Sequence, residues 1–259
     1  MSIQKTIADL HSHKEQTTAS LTAYLESLID SNDPKLQGKA DKLSYWITDW
    51  VKFLDFEPQF SPKSLRRYKR GEIIKVHLGF NIGSEEGGLH YAVVIEKDNP
   101  KTSPVVNIVP LTSVKSTTDI THLHNGSIFL GNELFTSLNA KISATDKHLT
   151  DELNLLKELV NGMTNSSPLE QRLSASNRIS KCEEELAFLT RMRNEVLKMK
   201  EGSIALVNQI TTISKIRIYD PKTDYDVLSN IKLSNEKLDL LDAEIIKRYT
   251  NFSYTNFSV

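Results

Sequence analysis

The chain has 259 residues, with 32 Lys+Arg against 33 Asp+Glu and a formal net charge of −1. At roughly 150 residues per domain this is one large domain or two modest ones, and 39% hydrophobic and 25% charged residues with only 10 Gly and 8 Pro exclude a collagen-like, wholly disordered or membrane-spanning chain. The single cysteine, Cys182, excludes an intramolecular disulfide framework and a multi-cysteine zinc site, and the near-neutral charge confines any nucleic-acid contact to a local patch.

From the N-terminus, Ile3, Ile7 and Leu10 and then Leu21, Leu25, Leu28 and Ile29 follow helical spacing. Asn32-Asp33-Pro34 breaks that pattern, and Leu36, Leu43, Ile47, Trp50, Val51 and Leu54 resume it, which predicts a helical hairpin up to about residue 56. Glu57-Pro58-Gln59-Phe60-Ser61-Pro62 reads as a linker. From about residue 68 the period becomes strand-like, with Ile74, Val76, Leu78 and Phe80 alternating against Ile73, Lys75, His77 and Gly79.

The turn-rich Gly83-Ser84-Glu85-Glu86-Gly87-Gly88 leads into a β-branched strand from Leu89 to Ile95. Asp98-Asn99-Pro100 predicts a turn, Val105–Leu111 a strand, and Thr121–Leu123 and Ser127–Leu130 two shorter ones. Helical texture returns from about 146 to 200. There Leu153, Leu156, Val160 and Met163 face a seam of Ile179, Cys182, Leu186, Leu189 and Val196 across the turn Asn165-Ser166-Ser167-Pro168, and Cys182 belongs to the apolar seam. Strands are expected again at Ser203–Val207 and Ile213–Tyr219, and Ser234 reads as the N-cap of a last helix through Arg248. The expected architecture is α+β: a helical segment over 1–62, a small β-barrel in two pieces over 63–140 and 201–250, an inserted antiparallel helical hairpin over 141–200, and a loosely packed tail over 251–259. The N-terminus has no apolar signal region, and stretches such as Ala92-Val93-Val94-Ile95 fall short of the roughly 20 residues of a membrane span. A cytoplasmic location is therefore expected.

Three segments together resemble the MazF/PemK family of toxin endoribonucleases. They are Arg70-Gly71-Glu72-Ile73-Ile74 with the Gly83–Gly88 loop and Tyr91-Ala92-Val93-Val94-Ile95; Ser103-Pro104 through Val109-Pro110-Leu111-Thr112; and Gly202-Ser203-Ile204-Ala205-Leu206 followed by Gln209-Ile210-Thr211-Thr212-Ile213-Ser214-Lys215. The resemblance covers about residues 68 to 132 and 200 to 248. It implies a small SH3-like barrel and sequence-preferring, metal-independent cleavage of single-stranded RNA (mRNA) without a cofactor, in which the substrate's own 2′-hydroxyl attacks the adjacent phosphate. It also implies a homodimer, an antitoxin partner, and a place in a toxin–antitoxin or phage-defence system.

In that family an Arg after the Gly-Gly loop and a Thr on the following strand carry catalysis. Thr112 falls on the second position and is read as a hydroxyl donor to a phosphate oxygen. The first is occupied by His90, with Tyr91 replacing the family's Pro. An imidazole shuttles protons where a guanidinium stays protonated, but it gives up the bidentate phosphate clamp. His90 is therefore read as general acid or base. The remaining candidates contact RNA. Backbone N–H groups of Ser84 to Gly88 face a phosphate, with Glu85, Glu86 and Gly87 among them, Glu85 and Glu86 contact bases or orient His90, and Gln209 belongs to the third segment. The basic run Lys63, Arg66, Arg67, Lys69, Arg70 and Lys75, opposed only by Glu72, tracks the RNA backbone while Tyr68 stacks a base. His122 and His124 would share one strand face as a metal pair, but no carboxylate or Cys cluster accompanies them. The alternative reading is a non-catalytic MazF-like module that binds RNA or a protein partner.

Overall fold

The computed structural model describes residues 5–164 and 167–251. Ile3, the turn residues Asn165 and Ser166, and the tail beyond Asn251 lie outside the described residues. The chain divides into two compact units. One holds residues up to Gln59 together with Gly79–Ile82; the other holds Phe60–Leu78 and everything from Gly83 onward.

In the first unit, α1 (Ile7–Ile29) and α2 (Pro34–Phe56) pack as the expected hairpin. Thr6 and Asp9 form a reciprocal capping box at the start of α1. Asp33 caps α2 with Pro34 in its first turn, so the residues that break the pattern in sequence are the ones that restart the helix. The Gln37 amide ties the turn by donating to the carbonyls of Ile29 and Ser31.

The second unit is an antiparallel sheet with helices on one face. Its strands are β1 (Tyr68–Lys69), β2 (Ile73–His77), β3 (Leu89–Val94), β4 (Asp98–Asn99), β5 (Val105–Ser113), β6 (Ser127–Gly131), β7 (Ser203–Leu206), β8 (Thr211–Ser214) and β9 (Ile218–Asp220). Seven of them join in the order β6-β7-β5-β3-β2-β9, with β8 also on β5. Strand β5 is the hub. Its whole inner stretch pairs β3, while its opposite edge is divided, Val105–Ile108 pairing β8 and Leu111–Ser113 pairing β7.

The expected closed barrel is not formed: no ladder among the described residues joins β6 to β9, so the sheet stays open. Side-chain alternation sends successive residues to two separate cores. Ile73, Val93 and Val109 pack with Leu138, Leu189, Met192 and Leu241 of the helices, whereas Ile74, Ala92, Val94 and Ile108 pack with Tyr68, Ile213 and Ile218 on the other face.

Several local expectations are corrected. Asp98 and Asn99 form strand β4 against β1 rather than a simple turn, because the buried Asn99 amide donates to the Val105 carbonyl and holds the segment flat. Thr121–Leu123 is a turn, its backbone bonded to the Asp119 carboxylate, so His122 and His124 share no strand face. The run from Ile213 to Tyr219 is cut by a 3-10 turn at Lys215–Arg217.

The inserted hairpin comprises α3 (Glu133–Asn161) and α4 (Leu169–Lys198), and it begins well before residue 141. Helix α3 follows β6 across Gly131, which takes φ +70, and the N-cap position Asn132, with no proline to mark the change. The seam also differs: Ala175, Cys182, Leu189 and Met192 are buried on α4, whereas Ile179 and Leu186 are exposed. Helix α5 (Asn235–Tyr249) starts at Ser234 as expected, and the Ser234 hydroxyl and N–H both reach Glu133 of α3.

Candidate functional site

A cleft of about 440 Å³ opens where β3 and β5 run side by side and the end of α4 reaches them. Strand β3 enters it through Gly88, whose φ of +87 lies in the left-handed region that favours glycine. The Gly88 carbonyl accepts the Leu78 N–H at 2.7 Å, which closes the base of the hairpin. The register Tyr91↔Leu111 and Ala92↔Pro110 puts His90 opposite Thr112 one step further along, so both candidate catalytic side chains come from facing strands and line the same cleft.

His90 is half-buried and gripped at both ring nitrogens. Nδ1 lies 3.1 Å from the Leu111 carbonyl oxygen, and Nε2 lies 3.1 Å from the Glu86 carboxylate. A singly protonated ring donates from Nδ1 to the carbonyl and keeps Nε2 as the nitrogen that exchanges protons; a doubly protonated ring satisfies both oxygens. Glu86 is in turn placed by Gln209, whose side-chain oxygen accepts the Glu86 N–H while its amide donates to the Ser84 carbonyl at 3.1 Å. Gln209 therefore clamps the Gly83–Gly88 loop from the turn between β7 and β8. The sequence places Gln209 more than a hundred residues away from this loop, and only the sheet brings them together.

The basic run is distributed differently. Lys75 lines the cleft, but Lys69 and Arg70 do not. The Arg70 guanidinium donates to the Ile95 carbonyl and to Asp242 of α5. Arg67 pairs with Asp98, and Arg66 with Glu72 and Asp224. Tyr68 is fully buried with its hydroxyl on the Pro221 carbonyl, and burial pushes the phenol far above its ordinary pKa. It has no face to offer a base, which overturns the stacking role.

Sequence reading missed the contribution of α4. Its Glu195 carboxylate accepts hydrogen bonds from both Lys75 of β2 and the Tyr91 hydroxyl of β3, and the Lys75 ammonium also sits 5.4 Å from the Tyr91 ring centre. Burial first, then the Glu195 carboxylate, pushes the Tyr91 phenol well above its ordinary range. For Glu195 itself burial works upward, but the bonds from Lys75 and Tyr91 and the Lys75 charge hold its carboxyl below the usual value. A folded-state pKa lowered relative to the unfolded chain gives stability that is present at neutral pH and lost as pH falls through the folded value. Glu195→Gln is therefore expected to destabilise the protein at pH 7, with the gap to wild type shrinking in acid. Urea unfolding at pH 7 and pH 3 measures this, and a gap that does not change with pH would contradict it.

Among the described residues no three His, Cys, Asp or Glu side chains cluster so as to hold a metal ion. His122 is instead exposed beside Asp119, Nδ1 to carboxylate 2.9 Å. No helix among the described residues is long and apolar enough to cross a membrane.

Residues 69–144 match the family model of PemK-like, MazF-like toxins of type II toxin–antitoxin systems. Over these residues the chain is similar to that toxin family. The match runs from β1 into the first turns of α3 and takes in the Gly83–Gly88 loop, His90 and Thr112, but it covers less than a third of the 259 residues. Gln209 and the strands β7 to β9 of the same sheet, like α4, fall outside it. Comparison with curated proteins gives no match.

Proposed function

We propose that this PemK/MazF-like chain is a ribonuclease toxin that cleaves single-stranded RNA, acting on mRNA in the cytoplasm until an antitoxin protein covers the cleft. The observation that carries the reading is the convergence of His90 and Thr112, from facing strands, in one cleft of a segment that matches this toxin family.

The chemistry asks for no nucleophile from the protein. The 2′-oxygen of the substrate forms a bond to the adjacent phosphorus, and the bond from phosphorus to the 5′-oxygen of the next nucleotide breaks. A proton leaves the 2′-hydroxyl and one arrives on the 5′-oxygen, giving a 2′,3′-cyclic phosphate and a 5′-hydroxyl. His90 Nε2 handles one of these protons, with Nδ1 anchored on the Leu111 carbonyl and Glu86 fixing the ring. The Thr112 hydroxyl donates to a phosphate oxygen as charge develops. Glu86 and Gln209 are positioning residues, and the backbone of Ser84, Glu85, Gly87 and Gly88 borders the RNA path. Lys69 and Arg70 stand farther out, where Lys69 is exposed to a longer strand. As in the toxin family at large, the working form in this reading is a homodimer.

Incubating the purified chain, without partner, with an unstructured RNA oligonucleotide tests the proposal. Cyclic-phosphate and 5′-hydroxyl ends are the expected products. Intact RNA bound tightly by the protein would instead support the non-catalytic regulator.

A further inference from the structure

Three lysines from two stretches of chain line the cleft. Lys115 follows β5, Lys198 ends α4, and Lys200 lies in the turn into β7. Their segments are fastened together. The Val114 N–H donates to the Gly202 carbonyl at 3.1 Å. Gly202 itself, at φ +80, packs so closely that a Cβ there would stand 2.7 Å from Val114 Cγ2.

Among the described residues none of the three lysines forms a salt bridge, although Lys198 acts through space on Glu195. The nearby carboxylates are already engaged, Glu86 on His90 and Glu195 on Lys75 and Tyr91. No arginine is among the residues that line the cleft. With Lys75, Lys115, Lys198 and Lys200 against Glu86, the lining carries an excess of positive charge, and a concave site of that sign draws in an anion.

We propose that Lys115, Lys198 and Lys200 hold an RNA phosphate flanking the one that reacts between His90 and Thr112, so that the inserted helical hairpin is part of the substrate surface. This rests on the ribonuclease reading. Lysine suits the task because a compact ammonium on a flexible stem follows a mobile single strand without demanding one geometry. The hairpin is locked to the sheet by Glu195, three residues before Lys198, so the lysines arrive at the cleft on a fixed support.

Fluorescence anisotropy with a 2′-O-methyl single-stranded RNA, which binds without being cut, provides the test across a salt series. The double variant Lys198→Ala/Lys200→Ala is expected to bind about tenfold more weakly, with the slope of log K against log[salt] reduced by about 0.7 for each phosphate that is no longer neutralised. Lys198→Arg/Lys200→Arg is expected to restore binding. Lys157→Ala/Lys181→Ala, which removes the same charge from exposed positions along the hairpin, is expected to leave it unchanged. If wild type binds and cleaves RNA but the Lys198/Lys200 alanine variant matches it in affinity and slope, the inference is overturned and the ribonuclease reading stands. If wild type neither binds nor cleaves, both fall.

Discussion

Replacing His90 by alanine is expected to slow RNA cleavage by about 10²–10⁴-fold, the usual contribution of a positioned acid or base. The geometry that supports so large an effect is specific. With Nδ1 on the Leu111 carbonyl and Nε2 beside Glu86, the ring has one orientation, and the proton-carrying nitrogen has a fixed place relative to Thr112 on the next strand. His90→Asn separates chemistry from packing, because an asparagine amide nitrogen takes the place of Nδ1 and still donates to the Leu111 carbonyl yet cannot exchange a proton. It is expected to fold like wild type by circular dichroism and thermal unfolding, to bind uncleavable RNA, and to be as slow as the alanine variant. Thr112→Val is expected to lose less, since a single hydroxyl donor is removed from an otherwise intact site. Cleavage by His90→Asn at the wild-type rate would remove the imidazole from the mechanism.

The second large effect concerns stability. Glu72→Ala is expected to cost about 3 kcal/mol, the low end for stripping one partner from a buried ion pair. Glu72 is 3% exposed. Its carboxylate accepts from Arg66 Nη2 at 3.1 Å and from the Lys69 N–H at 2.9 Å, with Lys232 at 3.7 Å. Without it the buried Arg66 guanidinium keeps, among the described residues, Ser229 at 3.1 Å, the more distant Asn230 and the exposed Asp224. Arg66→Ala is expected to destabilise comparably, and the two changes together to cost less than their sum. Urea denaturation of the two single variants and the double variant measures the coupling. Should Arg66→Ala weaken RNA binding while leaving the unfolding midpoint unmoved, Arg66 would belong to the RNA surface and not to the fold.

That second prediction marks a limit of linear reading. The run from Lys63 to Lys75 looks like a basic stripe because only Glu72 interrupts it in sequence. Folding brings up Asp98 from β4, Asp224 from the segment after β9, Asp242 from α5 and Glu195 from α4, and each takes one of these cations. Charge pairing over such separations leaves no trace in local composition. Cys182 is the opposite case. Its place on the helical seam is legible from spacing, and it is buried there, yet the neighbours Ile179 and Leu186 point outward because the contact face of the long hairpin repeats closer to every seventh residue.

The N-terminal hairpin and the final helix are legible in the sequence because each depends on short-range periodicity and on caps such as Asp33 and Ser234, whereas the start of the inserted hairpin at Glu133 is not. The Gly83–Gly88 loop, His90 and Thr112 stand out in the sequence through their resemblance to the MazF/PemK motifs, and strand register brings His90 and Thr112 to one cleft. Whether the strands close into a barrel, where the basic residues spend their charge, and which distant residues reach His90 are set by strand register and by the docking of α4. Those are long-range interactions, and a net charge of −1 conceals them. In the folded molecule Lys115 joins Lys198 and Lys200 along the cleft, none of them in a salt bridge among the described residues, and only the tertiary structure brings Lys115 to the other two.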